Sequence, residues 1–111
     1  MTELSNVTVH NAQLLLESGA MLLDVRQDDE FALGHAPGAV HIALNELPDH
    51  LARLDTRRQI VCVCRSGGRS TRASEFLLEQ GYNVVNLEGG MLAWAGEGQP
   101  LVADSGEPVI G

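Results

Sequence analysis

Five short apolar runs of three to five residues recur along the chain, with helix-patterned stretches between them. They are Val7–Val9, Met21–Val25, Ala39–Ile42, Ile60–Cys64 and Val84–Leu87. Parallel strands cannot be joined by a tight turn and need a crossover of about a dozen residues, so strands alternating with helices predict a parallel sheet. The same alternation is the signature of a sheet covered by helices on both faces. The expected fold class is therefore α/β, with helices on both sides of a five-stranded parallel sheet.

The intervening segments carry helix punctuation. Helices are expected near His10–Ser18, Asp28–Leu33 and Arg69–Gln80, closed by Gly19, Gly34 and Gly81. Leu44, Leu47, Leu51 and Leu54 recur at spacings of three and four, which predicts an amphipathic helix. With Asn45 as N-cap, Pro48 falls in its first turn, where N–H groups lack intrahelical partners. A short helix, Met91–Gly96, follows Glu88-Gly89-Gly90, and the tail 98–111 reads as extended or loose. The 111 residues are expected to form one domain, with its core over about 7–100 and enough length to bury it without staples.

The chemistry concentrates at Cys64-Arg65-Ser66-Gly67-Gly68-Arg69-Ser70. A thiol at the carboxyl end of a strand, before a glycine-permitted turn and a helix start, sits where backbone N–H groups and the positive helix end converge. Such surroundings lower a cysteine pKa from about 8.5 toward roughly 3.5–7.5. Open parallel sheets also bind ligands beyond the carboxyl ends of their strands, so motif and fold point to one place. Asp24-Val25-Arg26 and Glu88-Gly89-Gly90 end other strands, and their loops are expected to flank the same crevice.

Charge narrows the partners. Seven arginines against fifteen acidic residues give a net charge of −8, which argues against nucleic acid or an anionic membrane as the main partner. Three of the seven, Arg65, Arg69 and Arg72, cluster at the cysteine. The opening Met1-Thr2-Glu3-Leu4-Ser5 has no basic or apolar leader character, and no apolar run approaches the ~20 residues that span a bilayer, so a cytoplasmic protein is expected. Two cysteines make no disulfide framework. His10, His35, His41 and His50 lack zinc-ligand spacing with them, and no dinucleotide or phosphate-loop motif is present. No metal and no cofactor are expected.

Leu23-Asp24-Val25-Arg26, Glu30-Phe31, Gly34-His35-Ala36-Pro37-Gly38-Ala39, the Cys64–Arg69 loop and Leu87-Glu88-Gly89-Gly90-Met91-Leu92-Ala93-Trp94 occur in that order. Together they resemble the signatures of single-domain rhodaneses, the thiosulfate sulfurtransferases, over about 7–100. Ala36 stands where the family often has Ile. The resemblance implies a three-layer α/β/α rhodanese-like domain in which Cys64 is the nucleophile. It implies Arg65 and Arg69 as anion-binding side chains, and Arg65, Ser66, Gly67, Gly68 and Arg69 as the cradle of a Cys64 persulfide. The implied partners are thiosulfate or another sulfane-sulfur donor and a thiol or cyanide acceptor, with a sulfur-accepting protein as a further candidate.

The residue types suit that chemistry independently. A dianion approaching a thiolate is opposed electrostatically, and each charge pair with an arginine at ~4 Å offsets about 4 kcal/mol at an effective dielectric of 20. Gly67 and Gly68 are read as allowing positive φ, letting the loop curl around an outer sulfur. Plainer readings stand beside these. Cys62 shares a strand face with Cys64, with Cα atoms ~6.6 Å apart and parallel Cβ vectors, and is read as a core residue. Arg26 is read as a structural ion pair with Glu30 or Asp28, Asp24 as an anchor for loop N–H groups, and His35 as a locally bonded turn residue. Two other functions remain open: a persulfide carrier or sulfur-sensing module, and a cysteine-dependent phosphatase or arsenate reductase of similar fold.

Overall fold

The computed structural model describes residues 3–111; Met1 and Thr2, part of the opening stretch read above, lie outside them. Five strands, β1 (Ser5–Val7), β2 (Met21–Asp24), β3 (Val40–His41), β4 (Ile60–Val63) and β5 (Val84–Leu87), form one sheet in the order β1-β5-β4-β2-β3. Every pairing is parallel. All four residues of β2, β4 and β5 are buried. Period-two alternation sends Leu23, Cys62 and Val84 to one apolar cluster and Leu22, Val61 and Val85 to the other, so both faces are covered.

The helices are α1 (Val9–Glu17), α2 (Asp28–Leu33), α3 (Gly68–Glu79) and α4 (Gly90–Gly96). Ala73 and Leu77 of α3 pack on the Cys62 face; Val9 and Ala12 of α1 and Met91 and Trp94 of α4 pack on the other. The first strand lies earlier than its apolar residues suggest. Thr8 accepts a hydrogen bond from the Asn11 N–H at 3.2 Å and caps α1, which takes Val9 into the helix.

The leucine-patterned stretch is a 3₁₀ helix, Leu44–Arg53, capped by Ala43 and not by Asn45, with non-helical backbone at His50. Pro48 lies in its interior, where a missing N–H and a clash with the preceding turn oppose α-helical geometry. Leu47 and Leu54 are nonetheless buried, with Leu44 and Leu51 packed beside them. Gly34 ends α2 in extended backbone.

Residues 98–111 are not loose, although they turn at Gly98 and bend over 104–107. Val102 and His35 exchange backbone hydrogen bonds of 2.8 and 2.9 Å, and the Asp104 and Val109 N–H groups donate to Ala32 and Leu33. Leu101 and Ile110 pack against the second core cluster. Composition hides this strap because backbone groups, which every residue carries, make most of its contacts. Among the described residues no helix is long and apolar enough to cross a membrane.

Candidate active site

Central strand β4 delivers Cys64 to the carboxyl edge of the sheet, between β2 and β5. Gly67 turns the chain there at φ 125°, a conformation that favours glycine, and α3 begins at Gly68. Gly68 itself is helical, not left-handed, so one glycine and not two makes the bend. Cys64 Sγ accepts the Gly67 N–H at 3.0 Å. The Ser70 hydroxyl lies 3.3 Å from the same sulfur and 3.2 Å from the Gly67 carbonyl, with one proton to share between them.

Cys64 is only 1% exposed, and burial alone pushes its pKa up. Hydrogen bonds from the Ser70 hydroxyl and from the backbone around Ser70, Gly67 and Ser66 outweigh it, leaving the thiol below its ordinary value. Cys62 is the opposite case. It is buried without such a cradle, and desolvation drives its thiol up to about 12. Both cysteines are free.

The loop rests on α4. The N–H groups of Met91 and Leu92 donate to the carbonyls of Cys64 and Arg65 at 2.8 and 3.1 Å. Gly90 makes this approach possible: at φ 60°, a Cβ there would stand 2.5 Å from both carbonyl oxygens. The Gly89-Gly90 turn therefore holds the floor of the cysteine loop. On the far side, Thr71 Oγ1 donates to the Gly67 carbonyl at 2.7 Å, and the buried Asn86 of β5 donates to Thr71 at 3.3 Å.

The arginines are disposed differently from the expectation. Arg69 lies at the loop, but its guanidinium makes a two-pronged pair with Glu30 of α2, at 2.6 and 2.9 Å. Arg65 turns outward, and its Nε donates to the Gly111 carbonyl at 2.7 Å. Neither guanidinium faces the thiol unengaged. Arg26 makes an ion pair with neither Glu30 nor Asp28, although its Nη1 donates to the Glu30 backbone carbonyl at 3.4 Å. It is fully buried against Asp24, with Nη2 2.7 Å from Oδ2, and it also donates to the Gly34 carbonyl at 2.8 Å. Asp24 Oδ1 accepts the Arg26 backbone N–H at 3.1 Å, so it does hold loop backbone as read. This pair ties β2 to the end of α2 and so sets where Glu30 stands. Phe31 is stacked between the His35 and His41 rings, at 3.7 and 4.3 Å between centroids. His35 bonds locally to the Phe31 carbonyl at 2.7 Å.

Ser70, Thr71 and Glu30 are the site residues that sequence reasoning passed over or placed elsewhere. Ser70 had a signal, because a hydroxyl on the first turn of a helix faces the loop that the helix caps. Glu30 stood in one of the ordered motifs, but nothing local pointed to Arg69, which lies 39 residues away.

The Rhodanese-like domain family model matches residues 8–97. The Bacillus subtilis protein YtwF is 48% identical over 79 residues, covering 71% of this chain and 77% of that protein. The thiosulfate sulfurtransferase GlpE of Pseudomonas savastanoi pv. phaseolicola is 36% identical over 95 residues, covering 85% and 90%. The crystal structure of a rhodanese-like domain protein from Staphylococcus aureus superposes with a TM-score of 0.82 at 34% identity, covering 92% of this chain and 100% of that one. Motif order, sheet topology and loop geometry agree with these matches, and the chain belongs to the rhodanese-like domain family.

Proposed function

We propose that this protein is a thiosulfate sulfurtransferase that works through a persulfide on Cys64. The observation that carries the reading is the Cys64 sulfur itself, which accepts a loop N–H and faces a hydroxyl while its pKa is held down. A sulfurtransferase name on a relative 36% identical over 85% of the chain supports the same reaction class.

The Cys64 thiolate attacks the outer sulfur of thiosulfate. A new S–S bond forms, the old one breaks, and sulfite leaves with the electron pair. The outer sulfur then bears the negative charge, and the Gly67 N–H and Ser70 hydroxyl that stabilised the thiolate face it. An acceptor thiolate or cyanide attacks that sulfur in turn, and the Cys64 thiolate departs with its electrons. The two displacements are balanced without an external oxidant and give ping-pong kinetics. The loop backbone receives the donor's charge first. Arg69 joins only if the donor takes Glu30's place, and Arg65 only if it leaves Gly111.

The test is intact mass after thiosulfate treatment. A gain of about 32 Da that a reductant removes is expected in the unaltered protein and in Cys62→Ser, and is absent in Cys64→Ser. Sulfur carried by Cys62 in Cys64→Ser would overturn the assignment.

A further inference from the structure

A groove of about 490 Å³ opens beside the cysteine loop, between the first turns of α3, the start of the 3₁₀ helix and Gln27. Its volume is that of a small-molecule site. Leu44, Pro48 and Phe76 give it an apolar wall, while Arg69 and Arg72 line it from α3. Positions 69, 72 and 76 are spaced three and four apart, so they share one helix face, and Arg69 is common to the groove and the loop.

Arg72 differs from every other arginine of the chain. Arg26 is paired with Asp24, Arg57 with Asp55 and Arg69 with Glu30. Arg53, Arg58 and Arg65 donate to the carbonyls of His41, Gly19 and Gly111. Among the described residues Arg72 has neither an ion pair nor a hydrogen bond. The chain has no lysine and a net charge of −8, so its surface repels anions in general. Arg72 is exposed, and its unpaired guanidinium beside the apolar side chains of the groove is a local exception that suits a ligand with one negative end and a hydrocarbon body.

Building on the sulfurtransferase reading, we propose that this groove binds the sulfur acceptor, a small thiol with a carboxylate at the far end of a short alkyl chain. The carboxylate meets Arg72, the methylenes lie along Leu44, Pro48 and Phe76, and the thiol end is directed toward Arg69 and the Cys64 loop. The acceptor thiolate attacks the outer sulfur of the Cys64 persulfide. The Cys64 thiolate leaves with the electron pair, and the product is an alkyl persulfide.

The experiment compares 6-mercaptohexanoate with the neutral 6-mercaptohexanol as acceptors for thiosulfate-loaded protein, with loading followed by mass. A KM about 2–5-fold lower for the carboxylate is expected, as for one exposed charge contact. The ratio of the two KM values should fall to about one in Arg72→Gln and persist in Arg72→Lys; because it is internal to each variant, loading efficiency does not enter it. Equal KM values in the unaltered protein, or a carboxylate preference that survives Arg72→Gln, would overturn the acceptor site while loading by thiosulfate still stands. Absence of loading in the unaltered protein would overturn the sulfurtransferase reading and the acceptor site with it.

Discussion

Glu30 and Arg69, 39 residues apart, meet in a two-pronged ion pair at the edge of the cysteine loop. The same Glu30 carboxylate accepts the Gln27 N–H at 3.1 Å, so one side chain both organises the start of α2 and occupies the loop arginine. A donor anion that needs Arg69 must compete with a carboxylate already bound to it. Glu30→Gln is therefore expected to lower KM for thiosulfate by about 2–5-fold, because an exposed or partly exposed pair is worth about 1 kcal/mol at most. Steady-state kinetics at low salt check this, and a raised KM would mean that Glu30 positions Arg69 for the donor and does not block it.

The same pair makes stability depend on pH in a defined window. The hydrogen bond from Arg69 outweighs burial and lowers the Glu30 carboxyl from 4.5 to about 2. A carboxyl depressed in the folded state stabilises above its unfolded value and loses that contribution as protons titrate it. Thermal unfolding should show a contribution of about 1 kcal/mol or less, complete above pH 4.5 and lost as the pH falls toward 2. It should be absent in Glu30→Gln.

Ser70→Ala removes the hydroxyl 3.3 Å from Cys64 Sγ and leaves the Gly67 N–H in place. The thiol pKa should rise by about one unit, the scale of one hydrogen bond to a charged acceptor. The pH dependence of Cys64 alkylation in a Cys62→Ser background measures it. An unmoved profile would assign the depression to the backbone alone.

Gly90→Ala places a methyl group 2.5 Å from the Cys64 and Arg65 carbonyl oxygens, at a backbone φ of 60°. Left-handed strain and overpacking together are expected to cost about 2–4 kcal/mol. Urea denaturation should show it, with loss of sulfur transfer below the unfolding transition as the loop loses its support from Met91 and Leu92.

Loop size separates sulfur from phosphorus chemistry. Cys64 to Arg69 is Cys-x4-Arg, and the related phosphatases resemble Cys-x5-Arg, a ring one residue longer. The shorter ring suits a single outer sulfur and crowds a tetrahedral phosphoryl group attacked in line. Sulfur transfer from thiosulfate to cyanide should far exceed hydrolysis of an aryl phosphate, with partial gain of the latter when a residue is inserted between Ser66 and Gly67. A higher kcat/KM for the phosphate through Cys64 in the unaltered protein would favour the phosphatase instead.

The alternation of apolar runs and helix signals determined the parallel sheet, because period, length and turn residues are local properties that few tertiary arrangements override. Met21, Ile60 and Val84 begin strands as their apolar runs do, and Gly19 and Gly81 follow helix ends at positive φ. The cysteine was legible for the same reason, since strand, thiol, glycine and helix start are contiguous and the bend at Gly67 follows from its residue type. Contiguity also misled where two signals competed, as at Pro48, whose missing N–H outweighed the leucine spacing and gave a 3₁₀ helix. What only the tertiary structure decided is which charge meets which. Arg26 chose Asp24, Arg69 chose Glu30 and Arg65 chose Gly111, leaving Arg72, among the described residues, without a partner at the groove. Ion pairing reaches through space, and residues 30 and 69 become neighbours only after the β2 and β4 strands have paired and carried their loops to one edge of the sheet.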